Sequence, residues 1–353
     1  MRIAQLAPLT ESVPPTGYGG TELVVSLLTE ELVGFGHDVT LFACADSVTG
    51  ARLVGTAPTG LRLSRQPPHR WAAFDITSLV KLKEMSGEFD VIHNHMGYQA
   101  LPMLASLNVP SVTTNHNPVK DYCAPVYFAY GSLNYVAISE SYRQLNYPER
   151  INYCDTIYNG IAVEKYQPSV ATERRYLLFV GRIGADKGAR EAIEFAGRVG
   201  LPLKMAGKVD GADQEYFENF VLPAVQAGLV DFLGEVGEAQ KIALYAGAIA
   251  VVYPIRFDEP FGLVMVEAMA SGTPVIALDR GSVKELVLDG VTGLVDSTID
   301  NLVRKFKDGT FEQIESRACI HRARHHFGKQ AMARKYEALY QRVHTIDRLP
   351  AGV

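Results

Sequence analysis

The stretch Ile249-Ala-Val-Val-Tyr253, followed by Glu259-Pro-Phe-Gly-Leu-Val-Met-Val-Glu267 and Ala268-Met-Ala-Ser-Gly272, spells a strand, a turn and a helix in succession. The apolar, partly β-branched start reads as a buried strand, and the small and apolar residues from Gly262 read as a helix closed by Gly272. A strand feeding a helix is half of a parallel βαβ unit. Two carboxylates, Glu259 and Glu267, bracket the helix start eight positions apart. On a helix that separation spans roughly 12 Å at about 1.5 Å per residue, too far for both to grip one atom. It suits the two ends of one elongated, hydroxyl-rich ligand. Between them, the free N–H groups of Gly262, Leu263 and Val264 would point at an anion. A solvent-facing charged helix with proline in its first turn explains the same run, so the rest of the chain must decide.

Outward from this stretch, short apolar strands alternate with amphipathic helices along nearly the whole sequence, the mark of parallel α/β domains. The first half predicts strands near Ile3–Ala7, Val39–Ala43, Val91–His93, Val112–Thr114, Tyr135–Ile138 and Thr156–Tyr158, and a helix over Thr21–Phe35. The second half restarts at Tyr176–Val180, with further strands near Leu203–Ala206, Asp231–Leu233, Ala250–Tyr253 and Val275–Leu278. A polar, irregular stretch from Ala162 to Arg175, containing Pro168, is the expected hinge. Two Rossmann-like parallel sheets facing each other would make a cleft lined by loops at the carboxyl ends of the strands.

At 353 residues the chain is long for one core and predicts two domains. With 47% hydrophobic and 21% charged residues it reads as a well-packed soluble protein. The net charge of −5 with no basic stripe argues against a nucleic-acid partner. Cys44, Cys123, Cys154 and Cys319 show no metal or redox spacing and suit a reducing cytoplasm. The first apolar run is too short for a signal peptide, and none spans a bilayer; peripheral membrane contact is left open.

Three further groups carry chemistry. Gly181-Arg-Ile-Gly-Ala-Asp-Lys-Gly188 follows a strand and opens a helix, so Arg182 and Lys187 with the helix dipole would bind a diphosphate, unless they are merely solvated cations. Thr16-Gly-Tyr-Gly-Gly-Thr-Glu22 lets backbone approach a ligand at Gly19 and Gly20, though it lacks the dinucleotide-binding spacing and reads equally as a flexible loop. His93-Asn-His95 and His116 follow strands; a zinc site is the minor reading, satisfied histidines the commoner one, and His116 is expected as a hydrogen-bond donor to a reacting sugar or acceptor. The run Arg322-Ala-Arg324-His-His326 reads as a solvated helix face. Tyr122, Tyr127, Phe128 and Tyr130 either stack on a sugar ring or hydrophobic aglycone, or pack inward.

These pieces resemble the retaining glycosyltransferases of family four, which have the GT-B fold. The matching runs are Tyr18-Gly-Gly-Thr-Glu22, Asp90-Val-Ile-His-Asn-His95, Thr114-Asn-His116, Asn159-Gly-Ile161, Gly181-Arg-Ile with Asp186-Lys-Gly188, Phe232-Leu-Gly-Glu-Val236, Glu259 to Gly272, Thr273-Pro-Val-Ile276, Glu285 and Gly290-Val-Thr-Gly293. The resemblance implies an acceptor-side domain over residues 1–161, a nucleotide-sugar donor domain over 162–327, and a helix over 328–345 returning to the first domain. It implies that Arg182 and Lys187 neutralise the diphosphate, that Phe261 and Gly262–Val264 line the donor and add N–H groups, and that Glu267 holds the ribose. Glu259 would hold the transferred sugar, Val236 lie against the base, and Gly19, Gly20 and His116 serve from the first domain. The donor is a UDP-sugar by preference, with GDP- or ADP-sugar behind it. The acceptor is an unread hydroxyl of a glycan, lipid or small molecule, chosen by the loops 9–17, 48–70 and 118–132. Such hexosyltransferases need no metal and no cofactor. One departure is Gly281-Ser282, where family members often have two glycines. The competing readings are a non-catalytic nucleotide-sugar-binding relative, a nucleotide-sugar epimerase, a phosphorylase, and last a metal hydrolase using His93 and His95.

Overall fold

A computed structural model of the chain describes residues 1–17, 19–64, 66–166 and 174–347. The chain divides into two compact units, Met1–Gly160 with Lys329–Val353, and Ile161–Gly328. Pro168 and the middle of the expected hinge lie outside the described residues.

The first unit holds β1 (Arg2–Leu6), β2 (Asp38–Cys44), β3 (Arg52–Ala57), β4 (Val91–Asn94), β5 (Ser111–Asn115), β6 (Asn134–Ala137) and β7 (Tyr153–Thr156). They form one sheet in the order β3-β2-β1-β4-β5-β6-β7, every pair parallel. The central strands are buried on both faces because helices cover both. Ala4, Leu6, Phe42 and Ile92 pack with Leu79, Leu82 and Phe89. The order reverses between β1 and β4, where Gln5 pairs with His93 and Leu6 with Asn94. Open α/β sheets bind ligands in the crevice outside such a reversal. Helix α1 (Gly20–Gly34) follows β1, with Val24, Val25, Leu28 and Leu32 buried. Helix α2 (Trp71–Met85) precedes β4.

In the second unit β8 (Tyr176–Val180), β9 (Leu203–Ala206), β10 (Val230–Gly234), β11 (Ala248–Tyr253), β12 (Val275–Leu278) and β13 (Gly293–Asp296) run parallel in the order β10-β9-β8-β11-β12-β13. Here the reversal falls between β8 and β11. Both glycine- and carboxylate-bearing turns leave these two strands at their carboxyl ends. The helices that matter are α3 (Ala189–Val199), α4 (Glu238–Gly247), α5 (Leu263–Ala270) and α6 (Ser316–Phe327). The last helix, α7 (Lys329–Asp347), belongs to the first unit. It is fastened there by Lys329 on Glu31 at 2.9 Å and by Arg334 stacked over Phe35 at 3.9 Å.

Several sequence expectations fail in instructive ways. The stretch 48–70 is no simple loop, for it contains β3, and β13 was not foreseen. Both are edge strands: β3 is partly exposed and β13 is a four-residue strand starting at glycine, so neither shows a clear period. β7 covers Tyr153–Thr156 and not Thr156–Tyr158, since its polar residues hide its ends. Of the run 322–326, Arg324, His325 and His326 are exposed as expected, but Arg322 is held by the protein: its Nε donates to the Leu286 carbonyl at 2.6 Å and its guanidinium lies 5.6 Å from the Phe327 ring. No helix of the described residues is long and apolar enough to cross a membrane.

Candidate active site

At the ends of β8 and β11 the two sequence-predicted turns meet. Lys187 Nζ lies 3.0 Å from Glu259 Oε2, and both side chains are mostly shielded. Tyr253, the last residue of β11, donates its hydroxyl to the same oxygen at 2.7 Å. The Arg256 N–H donates to the Asp186 carbonyl at 2.8 Å, which ties one turn to the other. A carboxylate fixed by an ammonium and a phenol keeps lone pairs for further hydroxyls.

Arg182 has a different setting. Its guanidinium pairs with Asp213 and Asp186, and Asp210 stands 3.8 Å from Nε. Burial opposes the charge, but the hydrogen bond to Asp213 and the fields of Asp186 and Asp213 outweigh it and raise the pKa. The cation is therefore permanent, and its hydrogen-bonding edges are already engaged. An incoming anion must exchange with these carboxylates.

Gly262 caps α5 with φ +86°, a conformation that favours glycine. A Cβ there would stand 2.5 Å from the Met265 methyl and 3.2 Å from Glu259 Cγ. Helix geometry leaves the first-turn N–H groups without intrahelical acceptors. Leu263 and Val264, both half-buried, thus present donors beside Glu259. Phe261 corrects an expectation: its side chain is turned inward, edge-on to Phe327 at 6.0 Å between ring centroids, so no aromatic face is offered to a ligand. Its carbonyl accepts from the Ser282 hydroxyl at 2.7 Å, and the Ser282 N–H donates to the Glu259 carbonyl at 3.0 Å. Gly281, at φ +57°, lets the chain pass where a Cβ would stand 2.4 Å from the Glu259 backbone. The Gly281-Ser282 departure is thus the clamp on the Glu259 turn.

Glu267 is buried on α5 and accepts three hydrogen bonds: Tyr166 at 2.9 Å and Lys241 at 2.7 Å on Oε1, and Tyr245 at 2.8 Å on Oε2. Burial first, then the Glu267 charge, raises the pKa of both phenols, so both stay donors. An ionised carboxylate has about four lone-pair sites, which leaves room for about one more hydroxyl. Val236 lies half-buried between β10 and α4.

In the first unit, His95 Nε2 meets Gln5 Oε1 at 2.9 Å and His95 Nδ1 meets His116 Nε2 at 2.9 Å. With the Gln5 carbonyl as acceptor, His95 donates from Nε2 and accepts at Nδ1, so His116 donates from Nε2. That leaves His116 Nδ1 as an acceptor, the reverse of the donor expected from sequence. His93 bonds Tyr340 at 2.6 Å and Thr114 at 2.7 Å, both its nitrogens taken. Burial lowers all three imidazole pKa values, that of His116 to about 4. The three are neutral, His93 and His95 have both nitrogens bonded to protein groups, and no group of three or more metal-ligating side chains occurs among the described residues. Gly19 is the residue before α1 and Gly20 its exposed first residue. A Cβ on Gly19 would meet Pro15 at 2.7 Å.

Sequence reasoning missed Tyr166, Lys241 and Tyr245 around Glu267, Tyr253 on Glu259, and Asp210 and Asp213 on Arg182. The position of Tyr253 at a strand end, six residues before Glu259, was the one available signal.

Residues 18–165 match the family model described as Glycosyltransferase Family 4, and residues 162–326 that described as Glycosyl transferases group 1. An uncharacterized glycosyltransferase of Methanocaldococcus jannaschii is 26% identical over 82% of this chain and 84% of its own. The solved sucrose-phosphate synthase of Thermosynechococcus elongatus superposes with a TM-score of 0.82 at 20% identity, covering 98% of this chain and 100% of that one. HepE of Anabaena, solved in complex with UDP, superposes with a TM-score of 0.74 at 18% identity, covering 97% and 100%. The two family matches meet end to end over the two parallel sheets, and the chain belongs to the family-four glycosyltransferases of GT-B fold.

Proposed function

We propose that this glycosyltransferase moves a hexosyl group from a nucleoside-diphosphate sugar to a hydroxyl acceptor, with retention of anomeric configuration and without a metal. The observation that carries this reading is the Lys187–Glu259 pair beside the open first turn of α5, with the buried Glu267 on the same helix. Glu259 holds hydroxyls of the transferred sugar, and the remaining lone pair of Glu267 takes a ribose hydroxyl. The N–H groups of Leu263 and Val264 face the diphosphate, with Lys187 and Arg182 as its counter-charges. Val236 borders the base. UDP is the favoured carrier, supported by the HepE neighbour solved with UDP-glucose; GDP and ADP come next.

In the reaction the bond from the anomeric carbon to the β-phosphate oxygen breaks, and its electron pair leaves with the diphosphate. The acceptor oxygen bonds the same face of that carbon, and its proton passes to the departing phosphate. Charge grows on the phosphate in the transition state, so Lys187 and Arg182 act there. Arg182 exchanges Asp213 and Asp186 for phosphate oxygens. His116 accepts a hydroxyl of sugar or acceptor at Nδ1. The reaction is expected in the cytoplasm.

Thermal unfolding with millimolar UDP, GDP and ADP, each with and without EDTA, tests the donor. At about 100 times the dissociation constant a ligand adds roughly 2.7 kcal/mol, several degrees for a domain. A shift with one diphosphate, unchanged by EDTA, is expected; no shift with any removes the reading. Proton NMR of the product linkage then reports retention.

A further inference from the structure

Alternate residues of a strand share a face, so His93 of β4 and His95 just beyond it stand side by side, their rings 3.9 Å apart between centroids. Helix α7 lays Tyr336 and Tyr340 against His93, with ring centroids at 4.8 Å and 5.6 Å, and both phenols are buried. The Tyr340 hydroxyl has two hydrogen-bond partners among the described residues: Gln5 Nε2 at 3.2 Å and His93 Nδ1 at 2.6 Å. Gln5 donates to the phenol oxygen, so the single phenol proton goes to His93 Nδ1. His93, being neutral, then donates from Nε2 to Thr114 at 2.7 Å, and Thr114 meets the Tyr336 hydroxyl at 2.8 Å. On its other side Gln5 accepts from His95, and His95 accepts from His116. From His116 to Thr114 every proton points the same way. A hydroxyl reverses its sense by turning and an imidazole by moving a proton, but an amide must turn over whole. The sense of the chain is therefore held at Gln5.

We infer that Tyr340 of the last helix is a positioning residue for His116: by accepting the Gln5 N–H it holds the amide, and through His95 it fixes which nitrogen of His116 carries the proton. Gln5 is fully buried, so no water replaces Tyr340 as the acceptor. A buried amide N–H without an acceptor is rarer than a carbonyl without a donor, because the carbonyl keeps a second lone pair. Without the phenol oxygen the amide therefore turns over and offers its N–H to His95 Nε2. His95 then donates from Nδ1, His116 accepts at Nε2, and the His116 proton moves to Nδ1. The outward nitrogen changes from a partner for hydroxyl protons to a partner for carbonyl or phosphate oxygens. The consequence for turnover rests on the reading above, in which His116 Nδ1 accepts a hydroxyl; the tautomer itself does not depend on it. Tyr340 lies 335 residues from Gln5 in sequence, so the end of the chain sets the chemistry of a group at its first sheet.

The test is long-range proton–nitrogen NMR of the full-length, ligand-free protein with labelled histidine at pH 7.5, which tells a bare ring nitrogen from an N–H. The His116 signals are assigned by their loss in His116→Gln. In the wild-type protein His116 is expected with a bare Nδ1 and its proton on Nε2. In Tyr340→Phe, which keeps the ring and removes the hydroxyl, the proton should shift to Nδ1. Tyr336→Phe, an equal loss on the same helix but beyond Thr114, should leave His116 unchanged. A wild-type proton on Nδ1, a Tyr340→Phe spectrum equal to wild type, or the same shift in Tyr336→Phe each overturns the assignment. Should Tyr340→Phe unfold, Gln5→Met carries the comparison: it removes the amide itself and should leave His116 in both tautomers, and a single wild-type tautomer there overturns the assignment. UDP, GDP and ADP binding is measured on the same wild-type sample. Binding by none of them removes the donor reading and leaves the tautomer result standing.

Discussion

The polar centres of the two units occupy the same place in the same kind of sheet and are made of opposite materials. In the first unit the ends of β1, β4 and β5 meet in imidazoles held neutral by burial and joined to Gln5, Thr114 and Tyr340. In the second, the ends of β8 and β11 and the helix α5 gather ion pairs: Lys187 with Glu259, Lys241 with Glu267, and Arg182 with its aspartates. Backbone topology is shared, so the side chains alone set the division. A neutral network distinguishes ligands by hydrogen-bond direction and cannot take up a proton cheaply. An ionic network holds its cations ready and exchanges carboxylates for an arriving anion.

The most severe way to break this comparison is Glu267→Ala, which deprives two buried phenols and an ammonium of their shared acceptor. Breaking a buried pair by removing one partner costs about 3–5 kcal/mol, to be read as a lower urea midpoint at unchanged slope. Stability equal to wild type would show the second unit does not depend on its paired charges. Next in size, Lys187→Ala is expected to cost about 2–4 kcal/mol of transition-state stabilisation, seen in kcat more than in melting temperature. Unchanged turnover would remove Lys187 from the diphosphate.

Acid separates the two centres. Unfolded, the histidines protonate near pH 6.5; folded, burial keeps them neutral, His116 down to about pH 4. Between those values the unfolded chain binds more protons, so stability is full above pH 6.5 and falls as pH drops. The loss is about 1.4 kcal/mol per pH unit for each imidazole. Urea melts at pH 7.5, 6.5 and 5.5 measure it, and the His95→Gln variant should show a shallower fall. A flat profile would mean that the imidazoles are not held neutral. Gly262→Ala is expected to cost about 1–3 kcal/mol for its left-handed backbone, with weaker diphosphate binding in calorimetry. At the small end, Arg52→Ala removes an exposed pair with Glu88 and should change stability by under about 1 kcal/mol; a larger change in a thermal melt would show that surface pairs matter as much as buried ones.

The parts legible in sequence were those recorded by local pattern. Apolar runs and amphipathic periods revealed the central strands and α1 because burial repeats with the period of the element. The Glu259–Glu267 spacing and the Gly181–Gly188 turn were legible because the geometry of one strand–turn–helix is short-range. Edge strand β3 escaped because its half-exposed residues leave no period, and β13 because four residues starting at glycine are too few to show one.

By itself the sequence determined the two α/β halves and the two carboxylates astride one helix start, since each follows from residues within a turn or two. Only the tertiary structure decided that Phe261 turns inward, that His116 presents an acceptor, and that Tyr122 stays outside while Tyr127 is buried. It also decided what surrounds Glu267: Tyr166 lies 101 residues away in sequence and Lys241 lies 26 away. The physical reason is that a side chain's partners are set by which strands the sheet order makes neighbours, and no local period encodes that order.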